Sequence, residues 1–79
     1  MLTQEQIKKF YVYAHYKKSN DELFYIGKGS TSRAYVKSKR NIHWKNIVNK
    51  HGFNYKILEY FDNENDALKM EEDLISFYR

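Results

Sequence analysis

Two short aromatic segments with a turn between them fix most of what this chain can become. Phe10 to Lys17 reads FYVYAHYK and Leu23 to Lys28 reads LFYIGK, with Asn20-Asp21 in between. Aromatic and β-branched residues favour extended backbone, and Asn and Asp tolerate tight turns, so the pair predicts an antiparallel hairpin. Side chains alternate across a strand. Val12 and Ala14 then fall on one face, and Tyr11, Tyr13 and His15 on the other. In the second strand, Phe24 goes with Ile26, against Tyr25 and Gly27. The aliphatic set is expected to face the core. Tyr11, Tyr13, His15 and Tyr25 are left on the opposite side, where they either pack under a helix or line a site.

A hairpin at the front of the chain argues against a doubly wound βαβ fold. Ahead of it, Thr3 and Gln6 form a capping-box pattern, with Leu2 and Ile7 placed as a hydrophobic staple, which predicts a short helix from Thr3 to Lys9. After the hairpin, Ser30 to Lys37 is expected to form a short helix capped by Ser30 or Thr31. His43 to His51 (HWKNIVNKH) carries Trp44, Ile47, Val48 and His51 at helical spacing, and Gly52 follows as a helix stop. Asn54 to Phe61 (NYKILEYF) reads as a third strand. Asp62 or Asn63 then caps a final helix. The expected fold is α+β, in the order α-β-β-α-α-β-α: a small three-stranded antiparallel sheet flanked by helices, one domain over residues 1–79. A core this small has to be dense with aromatics, and the chain supplies 8 Tyr, 5 Phe and 1 Trp.

Charge is unevenly distributed. Between Lys28 and Lys50 stand seven bases (Lys28, Arg33, Lys37, Lys39, Arg40, Lys45 and Lys50) and no acid, whereas Glu59 to Arg79 holds seven acids and two bases. A basic stretch interleaved with Tyr35, His43 and Trp44 favours a phosphate-binding face over a merely solvated surface. With no cysteine, neither a disulfide framework nor a thiolate metal site can form. The start MLTQEQIKKF has no apolar leader core, and no later stretch approaches a membrane span. The expected setting is cytoplasmic, with no membrane partner.

Two features carry chemistry. On the last helix, Ala67, Met70, Leu74, Phe77 and Tyr78 form an apolar stripe with Leu68 and Ile75 at its edge. Glu71 projects into that stripe, while Glu72, Asp73, Lys69 and Ser76 point away. A carboxylate there needs a compensating charge, metal or hydrogen bond. The second feature is the run Gly27-Lys28-Gly29-Ser30-Thr31-Ser32-Arg33. Glycines let backbone N–H groups approach an anion, and Arg33 can fork onto a phosphate. It is too short for a P-loop. His15, His43 and His51 show no metal-ligand spacing.

Together these residues resemble the GIY-YIG nuclease family, in its phage and bacterial homing-endonuclease-like branch. Tyr11-Val12-Tyr13 stands where the family has Gly-Ile-Tyr, and Tyr25-Ile26-Gly27 matches the second half outright. Arg33 is similar to the family arginine after the hairpin, and Glu71 within ALKMEEDLI to its metal-binding glutamate. The stretch NIHWKNIVNKHG (41–52) is similar to that branch. The resemblance implies hydrolysis of DNA phosphodiesters with one Mg²⁺ or Mn²⁺ held by Glu71. It implies Arg33 on the phosphate charge, and Tyr13 or Tyr25 deprotonating or orienting the attacking water. Lys28, Lys37, Lys39, Arg40, His43 and Lys45 are the expected phosphate contacts. Tyr11 replaces the first family glycine. Lys37 replaces a family His or Tyr, for which Tyr35 or His43 are alternative stand-ins. Many family members carry an asparagine after the last helix, and residues 1–79 hold none there, either because the sequence stops short of it or because this member lacks it; the resemblance also implies a separate DNA-recognition domain or protein. Two rival readings are a non-catalytic nucleic-acid-binding module on the same fold and a protein-interaction domain using the aromatic face.

Overall fold

The computed structural model describes residues 9–38 and 40–78. The helix expected over Thr3 to Lys9 lies outside these, as does Lys39. Strand β1 (Phe10–Lys17) and strand β2 (Leu23–Ser30) form the expected hairpin. Helix α1 (Ile42–His51), strand β3 (Phe53–Phe61) and helix α2 (Glu64–Phe77) follow. The sheet is antiparallel in the order β2-β1-β3, so among the described residues β1 is central and both neighbours are edge strands. Among the described residues the architecture is α+β, a three-stranded antiparallel sheet with two helices.

Local chemistry explains the element ends. In the hairpin loop, the Asn20 side chain accepts from the Glu22 amide at 3.0 Å, and Asp21 takes a left-handed φ of 59°, which Asp tolerates better than most residues. Asn41 caps α1 by accepting the Trp44 amide at 2.8 Å. Gly52 ends that helix at φ 68°, a conformation that costs glycine nothing. Asn63, one of the two residues expected to do so, caps α2 through the Asp66 amide at 2.9 Å.

The two faces of the sheet are packed differently. On one, α2 lays Ala67, Met70, Leu74 and Ile75 against Val12, Ala14 and Ile26. On the other, Tyr11, Tyr13 and Ala34 pack with Tyr25, Ile57 and Tyr60. Enclosed on both sides, Tyr11 to His15 are all at most 2 % exposed.

Two bulges revise the expected alternation. Between His15 and Tyr16 the register with β2 slips by one residue. Leu23 therefore joins Ile26 on the aliphatic face, while the Phe24 ring lies against His15, centroids 6.0 Å apart. Phe24 does not share a face with Ile26, because a bulge inserts one residue into the period of two. A second slip, between Val12 and Tyr13 against β3, lets Tyr60 meet Tyr11 on the tyrosine face.

The helix expected over Ser30 to Lys37 does not form. Ser30 ends β2, and residues 31–35 are turns closed by Arg33 N–H to Ser30 O and Tyr35 N–H to Ser32 O, both 3.1 Å. Thr31 is the physical reason. Its φ of 50° breaks a right-handed helix at the outset, and a β-branched residue adopts that conformation only when its surroundings force it. At the other end of the chain, Phe77 and Tyr78 are 77 % and 59 % exposed and do not extend the buried stripe of α2.

Candidate functional site

The site is assembled by side chains that hold the 31–40 segment onto the tyrosine face. Tyr11 is the first clamp: its hydroxyl donates to Thr31 O at 2.6 Å and accepts the Ala34 amide at 2.9 Å. The strained Thr31 turn is thereby fixed from beneath. Ala34, 1 % exposed, inserts among the tyrosines.

Arg40 is the second clamp and the least expected. It is 7 % exposed. Its guanidinium donates to the Tyr13 hydroxyl at 2.8 Å, to Val36 O at 3.0 Å and to Arg33 O at 2.5 Å. It also lies over Tyr13, Tyr25 and Trp44, with its Cζ 5.3–5.5 Å from each ring centre. No carboxylate among the described residues pairs with it. Three neutral acceptors and three π faces offset its lost hydration instead. Arg40 was expected on the solvent-facing basic surface. It is instead an interior strut joining Tyr13 to the Arg33 backbone.

His15 is the third clamp and is fully buried. Its Nδ1 accepts from the Trp44 indole at 2.9 Å, and its Nε2 donates to Ala34 O at 2.5 Å. An indole N–H only donates and a carbonyl only accepts, so the ring is the neutral tautomer with its proton on Nε2. Burial pushes the imidazole down to about 4 from 6.5, against the opposing pull of the Ala34 carbonyl. The Phe53 ring packs against the same ring, tilted by 57° with centroids 4.8 Å apart.

Gly27 has a steric reason to be glycine. It pairs with Tyr13 across the hairpin, and a Cβ there would sit 2.5 Å from the Tyr13 hydroxyl and 2.9 Å from the Tyr25 ring. The tyrosine rings lie directly over its backbone. The stem of Arg33 rests in the same way on Gly29.

Tyr13 and Tyr25 lie with ring centres 6.1 Å apart, and Arg33 is close enough for its charge to act on the Tyr13 hydroxyl. A polar cavity of about 420 Å³ is lined by Lys28, Gly29, Ser30, Thr31, Ser32 and Arg33, with Val36 and Ser38 at its margin. The Arg33 guanidinium has no ion pair or hydrogen bond among the described residues. Lys28 makes one loose pair, 3.8 Å to Glu64. Burial raises the Tyr13 hydroxyl above its usual value of 10, and the Arg40 hydrogen bond only partly opposes this. At neutral pH Tyr13 is a neutral hydroxyl, which suits positioning better than proton abstraction.

Glu71 approaches from the other side. Residues 64, 71, 75 and 78 share a flank of α2 by helical spacing. Glu64 reaches Lys28, and Ile75 and Tyr78 line a cavity with Leu23 to Ile26, so this flank faces β2. Glu71 is half-buried there, and Glu72, as expected, is exposed. Tyr25 and Ile26 look to opposite faces of β2. Glu71 and the Tyr13–Tyr25–Arg33 group are therefore separated by the thickness of one edge strand. Of the remaining expected contacts, Lys37, His43 and Lys45 are exposed. Among the described residues, no three His, Cys, Asp or Glu side chains gather into a cluster.

Comparison with protein-family models, with curated proteins and with solved structures gave no match. Among the described residues, no helix is long and apolar enough to cross a membrane.

Proposed function

We propose that this chain is a divalent-metal-dependent DNA endonuclease module of the GIY-YIG type, acting in the cytoplasm. One observation carries the reading: Arg33, whose guanidinium has no ion pair or hydrogen bond among the described residues, acts electrostatically on the nearby Tyr13 and lines, with Lys28, a cavity that also bears the hydroxyls of Ser30, Thr31 and Ser32. An unpaired guanidinium among hydroxyl groups suits a phosphate.

A phosphodiester crossing the free edge of β2 is contacted by Arg33 and Lys28, which neutralise its non-bridging oxygens as charge develops. Tyr13, gripped by Arg40, and Tyr25 orient the attacking water. The half-buried Glu71 would hold Mg²⁺ or Mn²⁺, an ion of the kind that keeps much of its water and takes one or two carboxylates plus substrate phosphate oxygens. Such a metal supplies charge stabilisation at the phosphate and the leaving oxygen. Lys37, His43 and Lys45 hold the flanking backbone.

Incubating supercoiled plasmid with and without Mg²⁺ or Mn²⁺ tests the proposal. Glu71→Gln is expected to abolish cleavage and spare DNA binding, and Arg33→Ala to slow it on the order of 10²-fold. Glu72→Gln, at an exposed position, should change neither. Equal effects at Glu71 and Glu72 would refute the assignment. DNA binding without metal-dependent cleavage favours the non-catalytic module, a reading supported by Glu71 arriving from the opposite face of the sheet.

A further inference from the structure

Beside the phosphate cavity, and sharing Thr31 with it, lies a second concavity of about 210 Å³. Its lining is mainly aromatic: Tyr11, Tyr35, Tyr55 and Tyr60, with Ala34 and Ile57 at its floor. Two of these rings are not core. Tyr35 is 53 % exposed and Tyr55 is 47 % exposed, and they face each other with ring centres 5.4 Å apart at 42°. Tyr35 lies on the irregular 31–38 segment and Tyr55 on strand β3, an edge strand among the described residues, so the pair forms a rim open to solvent. Tyr11 and Tyr60 pack edge to face below them.

We infer that this groove is a stacking subsite for one unpaired nucleobase of a nucleic-acid strand whose phosphate is held by the neighbouring Lys28–Arg33 loop. The inference rests on the nucleic-acid reading above and deepens it. A base has flat π faces and polar edges. The groove offers tyrosine rings for the faces and phenolic hydroxyls for the edges. Its volume suits one base rather than a duplex, so an unstacked or single-stranded nucleotide is the fitting occupant. Charge favours a polyanion, because the shared wall at Thr31 leads straight to Lys28 and Arg33, and Lys37 follows Tyr35 by two residues. Stacking of this kind tolerates any sequence.

Short single-stranded DNA carrying a central 2-aminopurine is the probe, beside a strand of the same length with an abasic residue at that position. The 2-aminopurine fluorescence is expected to be quenched on binding, and the intact strand to bind about tenfold more tightly than the abasic one. Tyr35→Ala and Tyr55→Ala should remove that difference while leaving abasic-strand affinity unchanged. Tyr35→Phe and Tyr55→Phe, which keep the rings, should restore it. Arg33→Ala should weaken both strands alike. Circular dichroism of each variant confirms an intact sheet. If both strands bind equally and both need Arg33, the phosphate site stands and the stacking groove is refuted. If neither strand binds at low salt, the nucleic-acid reading falls and the inference with it. Unchanged quenching in the two alanine variants would also overturn it.

Discussion

The two faces of the sheet are held by different physics. Under α2 the contacts are aliphatic and non-directional: Val12, Ala14 and Ile26 meet Ala67, Met70 and Leu74. Under the 31–44 segment nearly every contact has a direction. Tyr11, Tyr13, His15, Arg40 and Trp44 are buried with their polar atoms in hydrogen bonds to one another or to backbone. The first face can be repacked so long as volume is kept. The second cannot, because each member is the partner of another.

The sharpest break in that comparison is Arg40→Met. It keeps much of the stem's volume but leaves the Tyr13 hydroxyl, Val36 O and Arg33 O without their donor. The expected loss is about 4 kcal/mol in chemical denaturation, close to the whole stability of a domain this size. A loss under about 1 kcal/mol would mean the strut is ornamental.

Acid attacks the same face. The folded His15 value of about 4 lies below the ordinary 6.5, so the unfolded chain binds the proton first as pH drops. Its contribution, about 3 kcal/mol, is complete above pH 6.5 and is lost as pH falls through 4. Melting temperature should therefore decline between those values. His15→Gln should flatten that decline, while truncations on the aliphatic face should leave its shape alone.

The finest discrimination pairs Tyr13→Phe with Ile26→Leu. Losing one buried acceptor of Arg40 should cost about 2 kcal/mol. The volume-conserving swap on the aliphatic face should cost about 1 kcal/mol or less. Comparable costs would erase the distinction between the faces.

What could be read from the sequence follows the same division. The hairpin, α1 with Gly52 as its stop, β3 and α2 all announce themselves by periodicity and caps, signals carried by neighbouring residues, whereas the Asn41 cap of α1 was not read. The bulges at Phe24 and near Leu58 were not legible, because a one-residue slip is set by the partner strand. Neither was the fate of residues 31–40. Ser30 and Thr31 have helix-capping chemistry, but Tyr11, twenty residues earlier, holds Thr31 in a conformation no helix can start from. Arg40 looked like one basic residue among seven. Only the fold shows three rings and three acceptors converging on it. Tyr13, Tyr25 and Arg33 were legible as a group because the hairpin register and a short loop leave them little room to be apart. The separation of Glu71 by one strand was not, since helical spacing gives its flank but not what that flank faces.

Among its described residues, the segment between β2 and α1 has no ladder of its own, and its hold on the protein is almost wholly through side chains rooted in the hairpin. Such a segment opens at a lower free energy than the sheet beneath it. When it lifts, the Arg40 strut withdraws, the Ala34 amide loses Tyr11, and Arg33 moves with its own backbone, so one local excursion dismantles the cavity while β1, β2 and β3 stay paired. In native-state hydrogen exchange, the Ala34 amide should therefore trade its proton faster than the β1 amides, and a protease that nicks the folded chain should find this stretch first.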